Sequence, residues 1–186
     1  PQPQENINYG ITFSHKYAEE LGLDWQETYL AILDDLGVDN LRLVAYWDEI
    51  EATRDVYDFS VIKWQLEQAQ ARDIPVIMTI GRKVPRYPEC FEPNWWNELS
   101  DESVRNEELF EYVGTAVREL QGYSVVDKWQ VENEPFFPFG ICKHEIKYEA
   151  VKQEVEVVRG LDEKPIVIQD SGEGGFWYPT RSEEHT

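Results

Sequence analysis

Trp129-Gln130-Val131-Glu132-Asn133-Glu134-Pro135 is an apolar, strand-like run that stops on Asn-Glu-Pro. Proline has no N–H to give a sheet, so the strand ends there and leaves a carboxyl and an amide at its tip. Working outward, the same grammar recurs on both sides. Strand-like runs fall at 7–13, 40–45, 75–80, 125–132 and 166–170. The run at 75–80 is almost wholly apolar, as expected of a parallel strand buried on both faces.

Helical patterns fill the gaps. Asp24 with Glu27 three residues on forms a capping box. Trp25, Tyr29, Ile32, Leu33 and Leu36 then share one face, and Gly37 closes the helix. A second helix spans 60–71, with Ile62, Leu66 and Ala69 on a stripe. A third spans 100–120, with Leu109, Val113, Ala116, Val117 and Leu120 in register. A fourth spans 145–159 and is stopped by Gly160.

Alternating strands and helices mean a parallel sheet. A doubly wound sheet would place a glycine-rich phosphate loop after an early strand. None follows the first four strands, and Gly172-Glu-Gly-Gly175 has no helix behind it, so it reads as a loop. A (β/α)8 barrel needs about 250 residues. The 186 residues supply four βα units and a fifth strand, so the fold class is α/β, a partial (β/α)8 TIM barrel. Residues 7–180 form its N-terminal part. Residues 1–6 are a polar linker, and Arg181-Ser-Glu-Glu-His-Thr186 reads as a non-native tail, a translated adapter. Two strand edges are then expected to lie open, at the first and fifth strands.

The balance of 37 acidic and 17 basic residues gives a net charge of −20. Such a field repels nucleic acid and anionic membrane, and no apolar run reaches the ~20 residues of a span. It suits a neutral or cationic ligand or serves solubility alone. Histidines at 15, 144 and 185 and the two cysteines show no ligand spacing, so neither a metal nor another cofactor is expected.

Three stretches together resemble one family, the clan A retaining glycoside hydrolases, whose (β/α)8 β-glycosidases include cellulases, mannanases and xylosidases. They are Leu41-Arg42-Leu43, Gly81-Arg-Lys-Val-Pro-Arg-Tyr-Pro-Glu89 and Trp129–Pro135, with Val56-Tyr57-Asp58-Phe59 in support. The resemblance covers roughly residues 7–178. It implies that Glu134 is the general acid/base, that Asn133 holds the sugar 2-hydroxyl, and that Arg42 orients the nucleophile from the floor of the site. The nucleophile belongs to a seventh strand and has no counterpart in this sequence; Glu173 follows the fifth strand and does not match it. The resemblance therefore implies hydrolysis of β-linked glycans by double displacement, with an oligo- or polysaccharide as partner. Two other readings stay open: a non-catalytic carbohydrate-binding or degenerate barrel, and a barrel enzyme of unrelated chemistry.

Strand alternation would point Gln130, Glu132 and Glu134 to one side, into the barrel, which makes Arg42 a structural partner for Glu132 as well as a site-floor residue. Aromatic residues gather near strand ends: Tyr46, Trp47, Tyr87, Trp95, Trp96, Phe136, Phe137 and Phe139. Each is a sugar platform or a loop anchor, with Trp47 and Trp96 the leading subsite candidates. His15, at the end of the first strand, is a subsite residue or a satisfied hydrogen-bonder. Glu89 faces the cleft or solvent. Cys90 and Cys142 lie in the loops after adjacent strands, so they bridge, as in an exported or cell-envelope enzyme, or stay free in a cytoplasmic one.

Overall fold

The computed structural model describes residues 8–170. Five strands, β1 (Gly10–Thr12), β2 (Asn40–Val44), β3 (Val76–Ile80), β4 (Val126–Val131) and β5 (Ile166–Val167), alternate with helices. These are α1 (His15–Glu20), α2 (Trp25–Asp35), α3 (Trp47–Ile50), α4 (Ser60–Gln70), α5 (Asn94–Asn97), α6 (Glu102–Leu120) and α7 (Tyr148–Leu161). All strand pairings are parallel and the order is β1-β2-β3-β4-β5. Consecutive parallel neighbours, each joined by helix, are how a (β/α)8 barrel is wound. Among the described residues β1 and β5 each pair on one side only.

Alternation along the strands sorts the two faces. Leu41, Leu43, Met78, Trp129 and Val131 are shut into the layer beneath the helices, against Tyr112, Val113, Val117 and Leu120 of α6. The opposite, concave face carries Thr12, Arg42, Ile77, Gln130 and Val167 around an open depression of about 570 Å³. Register puts Thr12 beside Arg42 and Arg42 beside Ile77, so the polar pair Thr12–Arg42 borders an apolar residue on that face.

Local signals set the helix ends. The Asp24 carboxylate accepts the N–H groups of Gln26 and Glu27, both at 2.9 Å, and Asp101 does the same for Ser103 at 2.8 Å. Three short helices, α1, α3 and α5, are too brief to show a periodic stripe, so the sequence pattern passes over them. Two helix ends differ from expectation. Leu36 ends α2 and is exposed rather than packed. α7 runs through Gly160 to Leu161, because a glycine whose neighbourhood is empty is tolerated in a last turn. The expected linker at 1–6, the loop at 172–175, Glu173 and the tail at 181–186 lie outside the described residues. Among the described residues no helix is long and apolar enough to cross a membrane.

Candidate active site at the rim of the fourth strand

Val131 is the last regular residue of β4, and the chain then turns sharply. Glu132 and Glu134 both take left-handed backbone conformations, φ 59° and 49°. Such geometry costs a non-glycine residue about 1–3 kcal/mol and persists only where the surroundings impose it. Here they do. The Asn133 N–H donates to the Lys83 carbonyl at 2.7 Å and the Glu134 N–H to the Gln169 carbonyl at 3.1 Å. The Glu134 carbonyl in turn accepts from the Phe137 N–H at 3.0 Å and from the Lys83 ammonium at 2.8 Å. The rims of β3, β4 and β5 are thus sewn to one turn, and Glu134 is its half-buried tip.

Glu132 departs from the alternation. Gln130 faces the concave side, where its amide oxygen accepts from Arg42 at 3.2 Å. Two residues on, Glu132 should face the same way. The left-handed turn sends it outward instead, completely buried, with its carboxylate accepting the N–H groups of Arg82 at 2.9 Å and Lys83 at 2.6 Å. Gly81 makes room for it: at φ 120° it has no Cβ, and one would stand 2.6 Å from the Glu132 carboxyl carbon. Arg42 is therefore not the partner of Glu132. Its guanidinium donates to Thr12 at 2.9 Å, to Gln130 and to Gln169. Burial pushes the Arg42 guanidinium below its ordinary value, Arg86 adds to that, and the Glu134 charge opposes it. Arg42 and Glu134 thus act on each other electrostatically across the concave face.

Asn133 is buried, with its side-chain oxygen 3.4 Å from the Gln130 amide nitrogen. Beyond Glu134 the chain frames a cleft of about 680 Å³ lined by Pro135, Phe136, Phe137, Phe139, Tyr148 and Lys83, among others. Phe136, Phe137 and Phe139 form the aromatic wall of this cleft. His15 lies elsewhere, in a pocket of about 200 Å³ with Trp25 and Tyr46. Its Nε2 is 2.6 Å from Glu49, and since a carboxylate can only accept, the ring nitrogen donates.

Two expected platforms are core residues. Trp47 has no exposed surface, donates its indole N–H to Glu51 at 2.8 Å and stacks on Tyr112 at 4.9 Å. Trp96 is 2% exposed and donates to the Arg105 carbonyl. Both sit on short helices that turn them back under the rim, which shuts Trp47 into the core and leaves Trp96 only an edge on a cavity of about 240 Å³. Trp95 likewise spends its N–H on the Glu51 carbonyl. Glu89 is buried, not solvated: it sits 3.4 Å from the Lys83 ammonium, and burial raises its pKa, with Lys83 opposing and Glu134 adding to the rise.

The residues that sequence reading passed over are Lys83 and Arg82. The Lys83 side chain is buried and its ammonium donates to the carbonyls of Glu134 and Phe137. Arg82 pairs with Glu92 at 2.7 Å and donates to the His144 carbonyl. Their signal was present in Gly81-Arg-Lys: two cations directly after an apolar strand, where water is scarce. The cysteines are joined, Cys90 to Cys142 with Cα atoms 5.1 Å apart, and the bridge ties the loops after β3 and β4. Glu51, Asp55 and Glu108 bring carboxylate oxygens within 4.8 Å of one another. Two of those acids already have partners, since Glu51 accepts from Trp47 and the Asp55 N–H, and Arg54 pairs with Glu108.

Comparison with solved structures fits this architecture. GH5_18 from Streptomyces cattleya, in complex with GlcNAc, superposes with a TM-score of 0.67 at 15% identity, over 88% of this chain and 44% of that one. Xylanase 10B from Thermotoga maritima gives a TM-score of 0.62 at 19% identity, over 88% of this chain and 49% of that one. A GH5_18 from Bifidobacterium longum subsp. infantis gives 0.67 at 13%, over 94% and 45%. These are clan A glycoside hydrolases. The chain has the fold of the clan A barrels. It spans less than half the length of each of these structures, which makes its five-stranded sheet a partial barrel of that fold. No protein-family model matches the sequence, and no curated protein matches it either.

Proposed function

We propose that this chain carries the acid/base half of a retaining hydrolase of β-linked glycans, with Glu134 as the general acid/base. The observation that carries this reading is the position of Glu134. It tips a strained turn at the C-terminal end of β4, held by Lys83 and Gln169, within electrostatic reach of Arg42. The C-terminal rim is where barrel enzymes of this architecture keep their chemistry.

In the proposed cycle Glu134 protonates the departing glycosidic oxygen, and a second carboxylate, about 5–5.5 Å away, attacks the anomeric carbon. Glu134 then takes a proton from water, whose oxygen bonds to the anomeric carbon as the bond to the second carboxylate breaks and the sugar is released. Asn133 would hold the 2-hydroxyl, and Arg42 would orient the second carboxylate, which a strand beyond the five described would supply. The structural neighbours support a sugar ligand: solved structures hold GlcNAc, Manb1-4GlcNAc and xylobiose. The Phe136, Phe137 and Phe139 wall suits such a ligand, since sugar rings present apolar faces to flat side chains. The Cys90–Cys142 bridge supports an exported or cell-envelope location, where disulfides persist.

The test is Glu134→Gln within the full reading frame that encodes this chain. On oligosaccharides with poor leaving groups, kcat/KM should fall by about 10²–10⁴-fold, the worth of a positioned acid. Aryl β-glycosides with good leaving groups need little protonation and should keep most of their first-step rate. Equal losses on both would remove the acid role from Glu134.

A further inference from the structure

The carboxyl groups of Glu132 and Glu154 meet inside the protein, and neither residue has any exposed surface. Glu154 comes from the inner face of α7, where Val151 and Val158 are its buried neighbours. A glutamate thus occupies a position in an apolar stripe. Neither of its oxygens meets an N–H or O–H donor. Glu132 differs, because its oxygens accept the Arg82 and Lys83 N–H groups.

The surrounding charges do not settle both acids. Arg82 faces the pair from the loop after β3, but its guanidinium is bonded to Glu92 and to the His144 carbonyl. Tyr112 approaches from α6, and Arg105 and His144 stand with Glu154 around a cavity of about 240 Å³. Two adjacent buried carboxyls cannot both be ionised. The one that accepts N–H bonds is the better anion, so the proton belongs to Glu154, and the Glu154 hydroxyl then points at Glu132.

We propose that Glu154 is a positioning residue: in its neutral form it donates a hydrogen bond to Glu132, and this bond locks the Arg82–Lys83 loop to the turn that presents Glu134. Glu132 bridges two rim loops, and Glu154 fixes which way its carboxylate is aimed. Burial, followed by the charge of Glu132, keeps the Glu154 carboxyl well above the usual carboxylate range. The consequence for catalysis rests on the glycosidase reading; the lock itself does not.

The sign of the pH effect follows. In the window between the ordinary carboxylate pKa and the raised one, the folded chain keeps a proton that the unfolded chain has lost. Stability therefore falls as pH rises through that window, with the unfolding constant growing about tenfold per pH unit for one proton. Glu154→Gln keeps a donor and carries no titrating proton, so it should lack that slope.

The experiment is a ¹³C NMR titration of the wild-type side-chain carboxyls, assigned through the backbone, with urea unfolding of wild type and Glu154→Gln across the same pH series. The Glu154 carboxyl should stay protonated at neutral pH. The Arg82 and Lys83 amides should resist hydrogen exchange in wild type and in Glu154→Gln, and lose at least tenfold of that protection in Glu154→Leu, which has no donor. A Glu154 carboxyl that ionises in the ordinary range overturns the proposal, and the wild type alone decides this should the variants fail to fold. Identical pH slopes in wild type and Glu154→Gln, or full amide protection in Glu154→Leu, also overturn it. None of these readouts is an activity, so they stand apart from the role of Glu134.

Discussion

The Lys83 ammonium donates to the main-chain carbonyl of Glu134 at 2.8 Å, from a side chain only 1% exposed. It also donates to Phe137 at 2.7 Å and lies 3.4 Å from Glu89. A buried cation so placed does two things at once. It neutralises Glu89, and it stabilises a left-handed turn that would otherwise relax. Lys83→Met keeps the length of the side chain and removes the charge. It should cost about 3–5 kcal/mol in urea unfolding, since a buried charge and two carbonyls lose their partner. A cost under about 1 kcal/mol would mean that the turn holds itself.

Trp47 and Trp96 pack edge to face at 5.5 Å beneath the rim. Removing a large buried ring leaves a cavity, so Trp47→Ala should cost about 3–5 kcal/mol. Trp47→Phe should cost less, because it keeps the stack on Tyr112. Neither change should alter the affinity of the folded fraction for a β-linked oligosaccharide, measured by calorimetry. A selective loss of affinity at unchanged stability would restore Trp47 to a ligand-binding role.

The barrel pattern is legible because four long helices carry a helical period and short apolar strand runs alternate with them. Asp24 announced its helix through a side chain that accepts the first free N–H groups. The rim was less legible. Period-two alternation assigned Glu132 to the concave face, and two left-handed residues reversed it. Nothing local in Val131-Glu132-Asn133 requires a positive φ; the Arg82 and Lys83 amides some fifty residues earlier impose it. Trp47 and Trp96 were misplaced for a related reason. Position after a strand gives exposure only when the chain stays extended, and here four-residue helices fold both rings inward.

Glu49 supplies a pH prediction. Burial works to raise its pKa, but hydrogen bonds from His15 and Lys16 outweigh this and hold the carboxyl below its ordinary value. A carboxyl with a depressed folded pKa adds stability above the ordinary range and loses it as pH falls through the folded value. Its side chain is 39% exposed, so solvent screening keeps the effect modest. Between about pH 5 and 3, Tm should fall less steeply for Glu49→Gln than for wild type. Parallel curves would show that the His15–Glu49 contact adds nothing.

The Cys90–Cys142 bridge closes a loop of 52 residues that contains α5, α6 and β4. It joins two segments that already touch, since the Ile141 N–H donates to the Pro88 carbonyl at 3.0 Å. Because the native contacts persist without it, its main effect falls on the unfolded chain, which it keeps compact. For a loop of this length chain entropy gives about 4 kcal/mol, an upper figure if the unfolded loop retains structure. Cys90→Ser with Cys142→Ser should therefore lower stability by roughly 2–4 kcal/mol and leave the secondary structure intact by circular dichroism. The aerobically purified wild type should take up no alkylating reagent until it is reduced. Two alkylated thiols in the untreated protein would show that the loops approach without bonding, and would remove the main support for an exported enzyme.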